Sequence, residues 1–142
     1  MKSPKTYVVD NSVLLKPLLQ EEGAGKVEKM MLMKQNFEIS ILVPDLFRYE
    51  FFNRATREFD KETVLEAWNA MTELQMSIIP FQSDLVAGAN SLMRKYPKIS
   101  FYDAAYHALA KAYRVPLITA DEKYYAITRK EGDVKMLEDL KI

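Results

Sequence analysis

Short apolar runs rich in branched residues alternate along the chain with longer stretches whose apolar positions recur at helical spacing. Residues 5–10, Lys-Thr-Tyr-Val-Val-Asp, read as a first strand that ends in an acid, followed by the cap-type residues Asn11 and Ser12. Val13, Leu14, Leu15, Leu18 and Leu19 predict a short helix in which Pro17 is tolerated only near the first turn. Gly23 and Gly25 interrupt it, and residues 26–35 predict a second helix. Residues 39–43 read as a strand, Pro44 suits the start of a helix over 45–59, and the polar run 60–63 opens another that carries Val64, Trp68, Met71 and Leu74. A third strand is expected over 77–81. A helix capped by Ser83 then runs to Tyr96, with Pro97 as its stop. Ser100 starts a helix of small apolar residues (Ala104, Ala105, Ala108, Ala112), and 115–119 is a fourth strand. A helix from Glu122, a break at Gly132 and a last strand near 134–137 complete the pattern.

Strands alternating with helices imply an α/β fold, a parallel sheet covered by helices on both faces. Every strand of such a sheet ends on one edge, where open α/β sheets bind their ligands. The helix over 45–59 is apolar on more than one side, through Leu46, Phe47, Tyr49, Phe51, Phe52, Ala55 and Phe59. It is expected to pack on the sheet and to meet another helix or another chain as well.

At 142 residues the length suits one domain, 1–142, with its own core. No apolar run is long enough to span a bilayer and no export signal is evident, so a cytoplasmic setting is expected. With no cysteine there is neither a disulfide nor a thiolate metal site. Lys plus Arg and Asp plus Glu both total 20, so no global field draws in nucleic acid. Any nucleic-acid binding must rest on a local cluster or on bound metal.

The positions of four acids then change the picture. Asp10 ends the first strand, Asp121 follows the fourth, Glu50 lies about one and a half turns into the helix after the second, and Asp103 sits in the first turn of the helix begun by Ser100. Each also has a blander reading. Asp10 and Asp121 suit helix N-caps, Ser100 and Asp103 match a capping pair, and Glu50 could be a solvated helix acid. Taken one by one, those readings do not explain why all four fall on one edge. Two like charges about 4 Å apart repel by roughly 4 kcal/mol at a surface-like dielectric, so convergence requires raised pKa values or a neutralising cation. Oxygen donors with no Cys and one His point to Mg²⁺ or Mn²⁺ rather than Zn²⁺.

Val-Val-Asp10-Asn-Ser12, Val-Pro44 leading to Glu50, Ser100-Phe-Tyr-Asp103-Ala104 and Leu-Ile-Thr119-Ala-Asp121 together resemble the PIN-domain ribonucleases, most closely the VapC toxins of toxin–antitoxin pairs. The resemblance spans nearly the whole chain, in order. It implies a three-layer α/β/α fold around a five-stranded parallel sheet of order 3-2-1-4-5. It further implies Mg²⁺- or Mn²⁺-dependent RNA cleavage by Asp10, Glu50, Asp103 and Asp121, with Ser12 and Thr119 as supporting hydroxyls and Asn53 as a weaker match. An antitoxin partner and a homodimer are part of the same expectation, and the aromatic helix over 45–59 suits such a partner. Without an antitoxin, the same residues would suit an RNA-processing nuclease; a degenerate domain that binds without cleaving is the non-enzymatic alternative. A receiver-type phosphotransfer domain would need an isolated Asp after the third strand, and the sequence has none there. His107 reads as structural, Trp68 and the methionines as core or interface. Arg48, Arg54, Arg57 and Lys123 read as solvated helix residues within reach of phosphates.

Overall fold

In the computed structural model, which describes residues 4–142, five parallel strands form one sheet in the order β3-β2-β1-β4-β5. The strands are β1 (Lys5–Val9), β2 (Ile39–Pro44), β3 (Ser77–Ile79), β4 (Leu117–Thr119) and β5 (Val134–Met136). Val8, Val9, Ile41, Val43, Leu117 and Ile118 are buried, as strands covered on both faces must be. β1 pairs with β2 on one side and with β4 on the other, with Val9 opposite Ile118. The strand order reverses between β1 and β4, which makes this the switch point of the sheet.

The first predicted helix is two short ones, α1 (Asn11–Leu14) and α2 (Lys16–Leu19), because Pro17 has no N–H to continue a ladder and takes a first-turn position in the second. Helix α3 (Ala24–Gln35) begins earlier than the glycines suggested. Gly23 is its left-handed N-cap, and Gly25 lies inside its first turn. The third strand stops at Ile79 rather than residue 81. α4 (Leu46–Glu58) buries Phe47, Phe51 and Ala55 in the hydrophobic core, and Phe52 packs on Trp68 of α5 (Lys61–Leu74) with ring centroids 5.6 Å apart. The over-wide apolar face of α4 therefore does meet a second helix, while Tyr49 points into solvent.

α6 (Ser83–Lys95) is capped from Gln82, not Ser83; the Ser83 side chain makes no cap bond, and the Asp84 carboxylate accepts from the Leu85 N–H instead. α7 (Phe101–Tyr113) is capped by Ser100 as expected. Its small residues let α6 approach closely, so that a methyl placed on Gly88 would lie 3.2 Å from the Ala108 Cβ. α8 (Glu122–Thr128) follows β4, and two 3-10 turns, Arg129–Glu131 and Leu137–Asp139, flank β5. Among the described residues no helix is long and apolar enough to cross a membrane.

Candidate functional site

Asp10 leaves the end of β1 at the switch point, and its backbone N–H donates to the Ile118 carbonyl of β4 at 3.1 Å. Side chains from the two strand ends meet there. The Ser12 hydroxyl donates to the Asp10 carboxylate and accepts the Ala120 N–H at 3.1 Å, joining the start of α1 to the end of β4. Thr119 is fully buried, and its hydroxyl accepts the Asp121 N–H at 3.1 Å. Burial raises the Asp10 carboxyl from 3.8 to about 6. It outweighs the Ser12 and Thr119 hydroxyls, which favour the charged form, and the charge of Asp103 adds to the rise.

Asp103 lies in the first turn of α7, where its N–H donates to the Ser100 hydroxyl at 3.1 Å. Burial raises its pKa, the charge of Asp121 adds to this, and the Ser100 bond opposes both. Glu50, on α4, is raised first by burial and also by Asp103, with a hydrogen bond from the Tyr106 hydroxyl opposing. Asp103 is thus within electrostatic range of each of the other three acids, which stand after β1, after β4 and on α4. The capping readings hold in part. The Asp121 carboxylate accepts the Tyr124 N–H at 2.9 Å and caps α8, whereas Asp10 makes no side-chain cap bond.

Among the described residues none of these four acids forms an ion pair with Lys, Arg or His; the salt bridges present lie elsewhere, on Glu58, Glu131 and Asp133. Carboxylates with no ion-pair partner, joined by the Ser12, Thr119 and Tyr106 hydroxyls, are an oxygen donor set of the kind Mg²⁺ or Mn²⁺ takes. Among the described residues no group of three or more Asp, Glu or His side chains stands close enough together to hold a metal ion, so the fit is one of donor chemistry.

Two features escaped sequence reasoning. The Tyr106 hydroxyl, on a residue 2% exposed, donates to Glu50 Oε1 at 2.8 Å. The available signal was its position three residues after Asp103, which puts both on one helix face. The second is a buried chain of polar groups around His107. Its Nε2 lies 2.8 Å from the Gly132 carbonyl, which can only accept, so Nε2 carries the proton and Nδ1 accepts from the Tyr124 hydroxyl at 2.7 Å. Burial lowers the His107 pKa, which favours the neutral ring. The structural reading of the lone histidine holds, with the ring bonding α7 to α8 and to the turn before β5.

Asn53 is not drawn into the acid cluster. It is exposed on α4 and accepts from Arg57 Nε at 3.3 Å. Arg54 pairs with Glu58 on the same exposed surface, and Arg48 and Lys123 are also exposed.

An open parallel sheet whose switch point carries a cluster of carboxylates defines a doubly wound α/β protein with its ligand site at the carboxyl edge. The sequence profile of the PIN domain matches residues 7–130, and the chain belongs to that family. Three solved structures share the fold. A toxin–antitoxin complex from Klebsiella pneumoniae aligns at 16% identity and a TM-score of 0.72, covering 94% of this chain and 99% of that one. VapBC2 from Rickettsia felis, bound to a DNA fragment from its promoter, aligns at 13% identity and a TM-score of 0.67, covering 92% and 96%. VapBC-5 from Mycobacterium tuberculosis aligns at 15% identity and a TM-score of 0.64, covering 94% and 98%. A search of curated proteins found no match.

Proposed function

We propose that the protein is a metal-dependent endoribonuclease and the toxin of a toxin–antitoxin pair. The observation that supports this most directly is the position of Asp103, in electrostatic range of Asp10, Glu50 and Asp121, with none of the four in an ion pair among the described residues. In this reading Asp10, Glu50, Asp103 and Asp121 hold one or more Mg²⁺ or Mn²⁺ ions. A bound ion would supply activation of the attacking water and stabilisation of the leaving oxygen.

The protein's own residues prepare that site. Ser12 and Thr119 orient the Asp10 carboxylate between the two strand ends. The Tyr106 hydroxyl fixes one oxygen of Glu50 and leaves the other for a ligand. The Tyr124 N–H holds Asp121 in the turn between β4 and α8. These contacts set the carboxylates before substrate arrives, which reduces the reorganisation left to the reaction.

The toxin reading draws on the fold shared with toxin–antitoxin complexes and on a groove of about 260 Å³ between α4 and α5 lined by Phe47, Phe52, Trp68, Met71 and Ile78. An amphipathic antitoxin helix suits such a groove, and a homodimer is the expected state of the free toxin.

The test is to incubate a mixed RNA pool with Mg²⁺, Mn²⁺ or EDTA and to map new ends by sequencing. Metal-dependent ends that vanish in Asp103→Asn are expected. Intact RNA under all three conditions, from a folded protein, would overturn the reading.

A further inference from the structure

Three aromatic residues, after β3 and at the start of α7, stand at the same edge of the sheet as the acids and have no part in the site described above. Phe81 follows β3, and its N–H donates to the Asp45 carboxylate at 3.3 Å; Asp45 in turn leads directly into the helix that carries Glu50. Its ring meets Phe101 edge-on at a centroid distance of 5.8 Å, and Phe101 meets Tyr102 at 6.1 Å. Despite these contacts Phe81 is 52% exposed and Tyr102 is 59% exposed. Tyr102 lies four residues before Tyr106, the donor to Glu50, so the two share a helix face. Because α7 starts at the carboxyl edge, Tyr102 stands about one turn further toward solvent than Tyr106, beside Asp103. Lys98, in the loop just before α7, is exposed and forms no ion pair among the described residues.

We infer that Tyr102, backed by Phe101 and Phe81, is a stacking platform for one unpaired nucleobase of the RNA, next to the phosphate presented to the acids. The inference rests on the ribonuclease reading and adds to it a residue that would contact a base of the substrate. An exposed aromatic ring offers any unpaired base a π-face, whereas a base within a duplex has none to give. The ring meets that of Phe101, which Phe81 abuts in turn, so less side-chain entropy is lost when a base covers it. Lys98 is placed to meet a flanking phosphate on the helix side.

The test uses a single-stranded oligoribonucleotide carrying 2-aminopurine, mixed with the Asp10→Asn protein in millimolar Mg²⁺ so that binding is read without cleavage. Binding should quench the fluorophore. Adding Tyr102→Ala should remove most of the quench and weaken binding about ten-fold, within the range found for loss of one stacked base. Tyr102→Trp should restore both, and a duplex of the same sequence should bind equally with or without the ring. Equal affinity and quench in Tyr102→Ala would overturn the platform while leaving the nuclease reading intact. Absence of RNA binding in every variant would overturn both. A Tyr102→Ala protein that turns from dimer to monomer in light scattering, with RNA affinity unchanged, would make the ring a contact between copies and overturn the platform.

Discussion

At the scale of single residues, the protonation of Asp10 dominates. Burial holds its folded pKa at about 6, against 3.8 for an ordinary aspartate, so the folded chain binds that proton more tightly than the unfolded chain. The stabilisation is therefore complete below about pH 4 and is lost as pH rises through about 6. A shift of about two units corresponds to roughly 3 kcal/mol. Asp10→Asn removes the buried charge, so metal-free protein at about pH 8 should gain on the order of 2 kcal/mol in urea unfolding with EDTA, and the loss of stability between about pH 4 and 6 should flatten. RNA cleavage should vanish in the same variant. If Asp10 were only a helix cap, Asn would replace it silently, since Asn caps as well as Asp. Tyr106→Phe keeps the buried ring and deletes only the donor to Glu50. RNA cleavage should fall about ten-fold with little change in melting temperature, as is usual when a group that orients a metal-binding carboxylate is lost.

At the scale of elements, what holds α8 against α7 is polar as well as apolar. His107→Leu fits the volume but leaves the Tyr124 hydroxyl and the Gly132 carbonyl without their buried partner. The orphaned Tyr124 hydroxyl is buried and costs about 1–3 kcal/mol, while Gly132 is exposed and its carbonyl adds little, so a loss of about 1–3 kcal/mol in chemical unfolding is expected. His107 also sets a pH slope opposite to that of Asp10. Its folded pKa lies below the ordinary 6.5, so its contribution is intact above that pH and declines as pH falls below it, and His107→Leu should abolish that decline. A further tie is Glu131, whose side chain is 8% exposed and joins Lys95 of α6 to Lys111 of α7 at 2.8 and 2.6 Å. Two glycines should respond in opposite senses. Gly25 is helical with open space around it, so Gly25→Ala should add about 0.5–1 kcal/mol. Gly132 also has open space, but at φ 84 and ψ 178 a side chain is strained by the backbone itself, and Gly132→Ala should cost about 1–3 kcal/mol.

At the scale of the whole molecule, the acid edge and the α4–α5 groove are separate surfaces joined through α4, which contributes Glu50 to one and Phe52 to the other. Trp68 is 48% exposed and rests on Phe52, so part of its ring faces solvent in the single chain. Trp68→Asp should leave the chain folded and catalytically competent while weakening dimerisation or antitoxin capture, read by light scattering and co-purification. A chain that unfolds instead would show that the ring completes the core. A binding partner seated in this groove would lie one helix away from the acids, close enough for an extended segment to reach the metal site and block it.

The alternation of strands and helices was legible without coordinates, because period-2 runs, helical spacing and Pro and Gly punctuation are written into each segment's own backbone preferences. The same holds for the placement of Asp10 and Asp121 at strand ends and of Asp103 behind the Ser100 cap. The adjacency of β1 and β4 was not legible in the periodicity; it followed from the family resemblance, and the structure shows it as the pairing of Val8 and Val9 with Leu117 and Ile118. Local signals also overreached where competing groups were close: the cap of α6 moved from Ser83 to Gln82, and the third strand ended two residues early. Only the tertiary structure decided that Asp103 lies within electrostatic range of the three other acids and that Tyr106 reaches Glu50. It likewise decided that His107 bonds Tyr124 and Gly132, and that Asn53 turns away to Arg57. Those outcomes depend on how each helix is rotated about its axis and on which side chains lose water when the layers close. Packing between segments distant in sequence fixes both, beyond the reach of any local pattern.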